Sequence, residues 1–411
     1  MKLIIYNFII LILIPFFTLR IILKSFFDPG YKDNISQRLG YKLQPIKKNK
    51  KKVIWLHAVS LGEVIGSEGI INTLKKYFEI VITTSTPTGY RRAKELFDNK
   101  VCVNYAPWDF FGFLDRFIYF YKPSAILIFE TEIWPSMISK ASRKSIPLYL
   151  LNGRLSQKSY KTYSMFSWFM KDILRQITFC FVQTDKHLDR FLNLGIRGDK
   201  IKSVGSVKFD LPGVYIQEID SPSFILGAST HEGEEKILLS AFCSFSRKKD
   251  FKLYICPRHP ERAEKILNLS NANGFETVLF SKLESKSFEV CIIDMIGLLP
   301  SFYASSKMAF VGGSLVQRGG HNLIEPAALG SPVIIGPHFF NFEDIANEFI
   351  ENNACIKVTN EDELISAMEL LSSDTEAASN LKIRAKEIVD KNRGSTEIQA
   401  SYIISELGEK S

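Results

Sequence analysis

Short apolar runs recur along the chain, separated by longer segments in which the apolar residues follow helical spacing. In the first half these runs are VIWLHAV, EIVITTS, AILIFET, PLYLLNG and TFCFVQT. Short apolar strands that alternate with helices are typical of a parallel sheet covered by helices on both faces. The pattern therefore predicts an α/β fold with a doubly wound parallel sheet.

The same pattern begins again at Phe224, with FILGAST, LYICP, VCIID, MAFVGGS and PVIIGP. Between the two sets, GSVKFDLPGV interrupts the periodicity with Gly and Pro, in the region from Gly205 to Ser223. A chain of 411 residues is also longer than one core usually fills. We predict two Rossmann-like domains, at residues 28–212 and 213–411.

The segment from Leu3 to Leu19 is uncharged and almost wholly apolar, and Arg20 and Lys24 follow it. It predicts a membrane anchor within residues 1–27. A cleaved signal peptide is the alternative, but Lys2 is its only preceding charge and no small-x-small cleavage site follows. Seventeen residues is near the lower limit for a span, so an anchor that crosses the membrane and one that is embedded in a single leaflet remain equally open.

Charge is divided unevenly along the chain. Residues 1–215 hold 33 Lys and Arg against 16 Asp and Glu, whereas residues 216–411 hold 19 against 28. A basic first half, with a lysine cluster from Lys47 to Lys52, predicts contact with an anionic surface such as inner-membrane lipid. Nucleic acid is a weaker alternative because no nucleic-acid-binding signature accompanies the charge. The six cysteines form no CxxC pair and indicate a reducing compartment, of which the cytoplasm of a bacterium is the simplest choice. With the predicted anchor, the folded domains are therefore expected on the cytoplasmic side of a membrane.

Ligands of open parallel sheets bind beyond the carboxyl ends of the strands. The residues that follow the apolar runs are small and polar in both halves. Two sheets with polar ends that face each other across a cleft are the expected architecture of a group-transferring enzyme, with one substrate per domain.

Glu63 follows the first strand, in HAVSLGEV, and has two interpretations. An acid in the first turn of a helix is favoured by the helix dipole, and Ser60 three residues earlier completes a Ser-x-x-Glu capping box. The same position also suits a general base, because Gly62 lets a substrate approach while the carboxylate reaches a hydroxyl.

Two further acids, Glu130 and Glu132, follow the run AILIF in ETEIWP. A metal-binding pair is improbable, since sugar-nucleotide enzymes that use a metal usually carry Asp-x-Asp and this chain has none. We expect Glu132 to be the N-cap of a helix that begins near Trp134, which leaves Glu130 as the functional acid.

The second half carries a glycine-rich stretch, VGGSLVQRGGHNLIEPA, from Val311 to Ala327. Its two Gly pairs allow close backbone approach, and a helix after Gly320 would offer N–H groups to a phosphate. Glu325 is placed to accept hydrogen bonds from a ribose. Arg258, in PRHPER, is placed to meet phosphate or a base carbonyl. Together these features predict a nucleotide site.

Nine motifs occur in an order that resembles the 3-deoxy-D-manno-octulosonic acid (Kdo) transferases, and they cover nearly the whole chain: HAVSLGEV, TTSTPTG, APWD, ETEIWP, NGRLS, GSVKFD, GASTHEGEE, PRHPER and VGGSLVQRGGHNLIEPA. The resemblance implies a two-domain GT-B fold with a membrane-anchor helix. It also implies CMP-Kdo as donor and the tetraacyldisaccharide phosphate precursor of lipid A (lipid IVA) as acceptor, with inverting transfer and release of CMP. Neither a metal nor any further cofactor is expected.

The resemblance assigns roles residue by residue. Glu63 matches the proton acceptor, and Glu130 and Lys208 match residues that stabilise the transition state. The positions that match CMP-binding residues are Pro257, Arg258, Ile296, Gly297, Leu298, Asn322, Leu323, Ile324 and Glu325. One position departs from the family, because many members have Glu where this chain has Leu298.

Two other functions remain open from the residues alone. A sugar-nucleotide epimerase or hydrolase of the same fold would use a UDP-sugar and would need no lipid anchor. A membrane-tethered binder of nucleotides or anionic lipid would have no activity at all.

Overall fold

The computed structural model describes residues 1–46, 51–97, 100–211, 216–217, 219, 223–246, 250–283 and 287–408. Most of the lysine cluster, at residues 47–50, therefore lies outside the described residues. The strands are β1 Val53–His57, β2 Glu79–Thr84, β3 Cys102–Tyr105, β4 Ala125–Phe129, β5 Leu148–Gly153, β6 Phe179–Val182, β7 Ile201–Ser203, β8 Phe224–Thr230, β9 Lys252–Pro257, β10 Thr277–Leu279, β11 Val290–Ile292, β12 Met308–Val311, β13 Val333–Ile335 and β14 Ile356–Lys357.

The α-helices are α1 Lys2–Lys24, α2 Ile35–Arg38, α3 Leu61–Gly66, α4 Glu68–Leu74, α5 Pro87–Phe97, α6 Phe111–Tyr121, α7 Pro135–Arg143, α8 Gln157–Met165, α9 Ser167–Leu174, α10 Asp185–Leu194, α11 Glu234–Ser246, α12 Ala263–Ala272, α13 Leu299–Ser305, α14 Ile324–Ala328, α15 Glu343–Glu351, α16 Glu361–Ser373, α17 Thr375–Asn392 and α18 Ser395–Leu407. Strands and helices alternate through both halves, as the apolar runs predict.

Each half forms one seven-stranded parallel sheet in the described part of the chain. The first has the order β3-β2-β1-β4-β5-β6-β7, and the second has the order β10-β11-β9-β8-β12-β13-β14. Residues along a strand alternate between the two faces, so Trp55 packs in the core on one face and Ile54 and Leu56 pack on the other. Both faces are buried, which explains why the strands are apolar throughout rather than alternating.

Each sheet has a switch point where the strand order reverses direction. In the first sheet β1 and β4 are neighbours, and in the second β8 and β12 are neighbours. Loops that leave two such strands diverge to opposite faces of the sheet and leave room for a ligand between them. Polar residues follow many of the strands. Among these strand ends, the ones at the two switch points are where ligand sites are expected.

The chain divides into two compact units, Met1–Asp210 with Asn392–Ser411, and Leu211–Lys391. The expected range 213–411 for the second domain is therefore wrong at its carboxyl end. The carboxylate of Asp210 accepts hydrogen bonds at 2.6 Å from the N–H groups of Gly394 and Thr396 at the start of α18, and Gln399 in α18 accepts one from the N–H of Asn152 at 2.9 Å. These contacts attach α18 to the first unit.

Helix α1 is attached to the first unit by polar contacts that an isolated apolar segment would lack. The hydroxyl of Tyr6 donates to the carboxylate of Asp109 at 2.9 Å, and the amide of Asn7 donates to Ser136 Oγ at 2.8 Å. Nearer the other end, the rings of Phe17 and Trp108 lie 6.1 Å apart. Among the described residues, α1 is the one helix long and apolar enough to cross a membrane, and only about a tenth of its apolar window is buried.

Candidate active site

Glu63 lies in the first turn of α3, directly after β1 at the switch point of the first sheet. Its N-cap is Ser60, whose hydroxyl donates to Glu63 Oε1 at 2.8 Å and accepts from the Glu63 N–H at 3.4 Å. The backbone N–H of Val59 donates to Glu63 Oε2 at 2.8 Å. The capping interpretation of Glu63 is confirmed, and both carboxylate oxygens are engaged by it.

The environment of Glu63 makes its carboxyl group unusually basic. The residue is only 7% exposed. Burial, together with the nearby carboxylates of Glu132 and Glu130, raises its pKa to about 8 against the opposing effect of the hydrogen bonds from Ser60 and Val59. A carboxylate with a pKa near neutrality is a competent proton acceptor, a property that a surface capping residue lacks.

Glu130 begins the loop after β4, the other strand of this switch point. Its φ of +60° lies in the left-handed region, which costs a residue with a Cβ about 1 kcal/mol. Its N–H continues the sheet by donating to the carbonyl of Leu151 at 2.9 Å. The chain thus turns sharply at Glu130 instead of continuing outward, and the residue stays at the sheet edge.

The expectation that Glu132 caps the following helix is wrong. The N-cap of α7 is Trp134, without a side-chain cap, and the carboxylate of Glu132 instead accepts from the Trp134 indole N–H at 2.8 Å. The first amides of α7, at Ser136 and Met137, donate to Asp109 at 2.9 and 2.8 Å. Because Asp109 accepts the hydrogen bonds of these two N–H groups, Glu132 is not needed as a cap.

Lys208 lies in a single 3₁₀ turn, Val207–Phe209, whose N-cap is Ser206. The turn is fixed at Val207, whose N–H donates to Asn152 Oδ1 at 3.2 Å. A Cβ built on Gly66 would lie 3.2 Å from the ring of Phe129 and 3.9 Å from Val207, so α3 packs against both the end of β4 and this turn. The three elements that carry Glu63, Glu130 and Lys208 are therefore adjacent. Asn152 was missed as a positioning residue because its partner is 55 residues away.

At the switch point of the second sheet, the carboxylate of Glu234 is buried beneath the glycine-rich loop. It accepts hydrogen bonds at 2.7 to 3.0 Å from four backbone N–H groups, those of His231, Gly313, Ser314 and Leu315. Glu234 is fully buried. It therefore fixes the loop after β12 to the loop after β8, a role that sequence reasoning missed although the acidic stretch HEGEE directly follows a strand.

The first Gly pair serves close approach between parts of the protein itself. A Cβ on Gly312 would lie 2.5 Å from the carbonyl oxygen of Ser229, and Gly313 has a φ of +68°. Both features exclude other residues without a shift of the backbone. The prediction of close approach is thus confirmed for the protein's own backbone.

A histidine pair lies above this loop. His231 Nε2 and His321 Nε2 are 2.9 Å apart, and their rings are stacked with centroids 5.1 Å apart. Burial, together with the positive charge of Arg258, lowers the pKa of His321 to about 4. The pair joins residues 90 positions apart, so no local signal in the sequence indicated it.

Arg258 follows β9, the neighbour of β8, and its side chain is exposed. Its N–H donates to the carbonyl of Thr230 at 3.0 Å, which ties this loop to the end of β8. Pro257 is the last residue of β9 and is buried. The positive charge of Arg258 contributes to the lowered pKa of His321.

The helix expected directly after Gly320 begins later, at Ile324, and has only five residues. The side-chain oxygen of Asn322 accepts from the N–H of Ile324 at 3.0 Å, so Asn322 closes the turn before the helix. Leu323 is buried. Burial raises the pKa of Glu325, and among the described residues its carboxylate has no hydrogen-bond or ion-pair partner. That carboxylate is available for a ligand.

Comparison with known proteins shows the family of this chain. Residues 33–211 match a family model described as 3-deoxy-D-manno-octulosonic-acid transferase (kdotransferase). The 3-deoxy-D-manno-octulosonic acid transferase of Haemophilus influenzae is 32% identical over 406 residues, which cover 95% of this chain and 95% of that protein. The chain belongs to the Kdo transferase family. The transferase of the same name from Aquifex aeolicus is 32% identical over 331 residues, covering 79% of this chain and 88% of that protein.

Structural comparison extends only to the fold. MurG of Acinetobacter baumannii has a TM-score of 0.58 at 11% identity, covering 86% of this chain and 99% of that protein. The predicted GT-B fold and the family resemblance are confirmed, and this Kdo transferase is a glycosyltransferase of Kdo.

One loop of this Kdo transferase departs from the pattern that the resemblance implied. Ile296 is 87% exposed, Gly297 has a φ of +90°, and Leu298 is the N-cap of α13 without a side-chain cap. A leucine at this cap offers no side-chain hydrogen bond to a ligand. Any polar contact from Ile296, Gly297 or Leu298 would therefore be made by backbone groups.

Proposed function

We propose that this Kdo transferase moves Kdo from CMP-Kdo to lipid IVA by a single, inverting displacement that releases CMP. The observation that carries the proposal is Glu63, a buried carboxylate at a topological switch point whose pKa is raised to about 8. A site that only bound nucleotide or lipid would gain nothing from a carboxylate of this basicity.

In the proposed reaction, Glu63 accepts the proton of a sugar hydroxyl on the acceptor. The hydroxyl oxygen forms a bond to the anomeric carbon of Kdo, and the bond from that carbon to the phosphate oxygen of CMP breaks on the opposite face. The proton remains on Glu63, and the electron pair leaves with CMP. General base catalysis of this kind typically contributes a factor of about 10²–10⁴ to the rate.

Stabilisation of the departing phosphate is the second requirement, because the carboxylate next to the anomeric carbon makes the reacting centre electron-poor. We assign this role to the exposed guanidinium of Arg258. Lys208 and Glu130, which match the family's transition-state residues, remain assigned to the charge that develops on the sugar. Glu325, whose carboxylate is free of protein partners in the described residues, is assigned to the ribose of CMP.

Membrane attachment follows from α1. Its contacts run from Lys2, which forms an ion pair with Asp172 at 2.8 Å, through Tyr6 and Asn7 to Phe17. A helix held along its length by the first unit is better suited to lie in one leaflet than to cross the bilayer. We propose that the protein is monotopic at the cytoplasmic face of the inner membrane. The free cysteines and the basic first half are consistent with this location.

The test is to incubate the purified full chain with CMP-Kdo and lipid IVA and to determine the masses of the product lipids by mass spectrometry. Lipid heavier by one or more Kdo residues, with an equivalent amount of CMP, is the expected result. A Glu63→Gln preparation is the matched control. Turnover of a UDP-sugar without lipid, or binding of CMP without any product, would contradict the proposal.

A further inference from the structure

A chain of buried polar groups leads from the interior of the first sheet toward the carboxylates at its switch point. The indole N–H of Trp55 donates to Thr83 Oγ1 at 2.8 Å, and Thr83 Oγ1 lies 2.9 Å from His57 Nδ1. Since Thr83 accepts from the indole, its single hydroxyl proton is available for His57 Nδ1. With Thr83 as the donor in this hydrogen bond, the His57 proton lies on Nε2. Burial lowers the pKa of His57 to about 3, so the ring is neutral.

His57 in turn supports Trp134. Both residues lie at the ends of the switch-point strands, since His57 is the last residue of β1 and Trp134 lies in the loop after β4. Their rings are 4.3 Å apart in an edge-to-face arrangement, at 70°. His57 is fully buried, and its Nε2 has no conventional hydrogen-bond partner among the described residues. An N–H group against an aromatic ring makes a weak but directional contact.

Trp134 transmits this support to Glu132. Its indole N–H donates to Glu132 Oε2 at 2.8 Å. Burial and the carboxylate of Glu130 raise the pKa of Glu132, and this hydrogen bond acts against them by favouring the ionised carboxylate. Neither His57, Trp134 nor Glu132 has a part in the proposed chemistry, and Glu132 has been released from the capping role that its position suggested.

We propose that Glu132 is a positioning residue that acts on the reaction through Glu63, held in place by the Trp134 indole. This inference rests on the proposed role of Glu63 as the base. The ionised carboxylate of Glu132 opposes ionisation of Glu63 and so keeps Glu63 a stronger proton acceptor.

Four groups shift the pKa of Glu63 in opposite directions. Ser60 and Val59 donate to the Glu63 carboxylate and favour its ionised form, while Glu132 and then Glu130 disfavour it. Removal of the charge at Glu132 therefore lowers the pKa of Glu63. The base is then ionised at lower pH but is weaker.

The kinetic test compares pH profiles of kcat/KM for the wild type, Glu132→Gln, Trp134→Phe and the double variant. Glu132→Gln should move the acid limb of the profile to lower pH by about one unit, with a lower plateau rate. Trp134→Phe should move it in the same direction by less, and the double variant should match Glu132→Gln alone. Glu68→Gln, in α4, is the control and should leave the limb in place.

A second test needs no substrate and separates this inference from the proposed function. Urea unfolding midpoints of the full chain are measured at pH 5.5 and pH 9 for the wild type, Glu63→Gln, Glu132→Gln and the double variant. At pH 9, Glu132→Gln should raise the unfolding midpoint more in the wild-type background than in the Glu63→Gln background. In the wild type the substitution removes the repulsion between two negative charges, whereas in Glu63→Gln that repulsion is already absent. At pH 5.5, where Glu63 is protonated, its effect should be the same in both backgrounds.

Equal effects of Glu132→Gln in the two backgrounds at pH 9 would overturn the inference, as would an acid limb that stays in place in Glu132→Gln. A wild type that transfers no Kdo would instead refute the proposed function, and the unfolding comparison would still decide whether Glu132 acts on Glu63.

Discussion

The carboxylate of Glu63 accepts a hydrogen bond at 2.8 Å from the backbone N–H of Val59, the residue before its own helix cap. The side chain thus folds back over the end of α3 and is held against the rigid end of β1. Capping and proton transfer are therefore compatible, since the hydrogen bonds that cap the helix also fix the direction of the base.

The rate of Kdo transfer should increase with pH up to about 8. A base must be deprotonated to act, and the raised pKa of Glu63 keeps most of it protonated at lower pH. We expect log(kcat/KM) to rise by about one per pH unit below that value and to level off above it. The measurement is the initial rate of CMP release between pH 5.5 and 9.5, and a rate that is flat across this range would contradict the assignment.

Glu63→Gln should lower kcat by about 10²- to 10⁴-fold, because glutamine retains the shape of the side chain but accepts no proton. Its amide oxygen still accepts one of the two hydrogen bonds from Ser60 and Val59, so the protein should remain folded. The rate is measured at pH 8 and the fold by circular dichroism. Ser60→Ala is a matched control, because it removes part of the cap but leaves the carboxylate, and it should lower kcat by much less.

Glu325→Gln should weaken CMP binding by about 10- to 100-fold, the usual effect of losing charge-assisted hydrogen bonds to a ribose. Isothermal titration with CMP and with 2′-deoxy-CMP measures the effect. The wild type should prefer CMP, and the variant should lose that preference. Glu351→Gln, an exposed acid of α15, should leave both affinities unchanged. Equal discrimination in Glu325→Gln and the wild type would exclude contact with the ribose.

Glu234→Ala should lower the free energy of unfolding by about 3 kcal/mol, because four backbone N–H groups lose their acceptor in a buried site. It should also weaken CMP binding, since the glycine-rich loop is no longer fixed to β8. Urea unfolding of the full chain measures the first effect. Glu232→Ala, two residues earlier and exposed, should change neither property.

Substitution of Phe8, Ile12 and Phe16 with Ser should release the protein from lipid vesicles. These residues are 60–62% exposed and lie four positions apart, so they form one stripe on α1. Burial of three such side chains in lipid stabilises the membrane-bound protein. Their replacement should therefore lower the vesicle partition coefficient by at least about 100-fold. Sedimentation with anionic vesicles measures it. The control is Leu370 and Ile383 to Ser, a pair of exposed apolar residues in the second unit, and equal loss in the control would refute the role of the stripe.

The sequence predicts the parts of this molecule that depend on local pattern. Apolar runs identify the strands because both faces of a parallel sheet are buried, and the Ser-x-x-Glu spacing identifies the cap at Glu63 because both partners lie within one turn. Parts that depend on contacts between distant residues are not predicted. Glu132 was assigned to a cap that Asp109 already satisfies from 27 positions away, and three of the four partners of Glu234 lie about 80 positions along the chain.

The order of the strands is the main information that the sequence lacks. Polar residues follow nearly every apolar run, and nothing local distinguishes those after β1 and β4 from the others. Once the pairing of β1 with β4 is known, Glu63 and Glu130 are seen to flank one switch point, and the histidine pair and Glu234 lie at the other. The family resemblance selected Glu63 and Glu130 without this knowledge, but it did not indicate Glu234, His231 or Glu132.

The return of α18 to the first unit affects the order in which the protein is built. The ribosome completes the second unit, residues 211–391, before it makes α18, which is held to the first unit by hydrogen bonds with Asn152 and Asp210. The first unit, which carries Glu63 and α1, therefore lacks the contacts of α18 until residues 395–407 have been made. The unit that carries Glu63 is thus begun before the second unit during translation and completed after it.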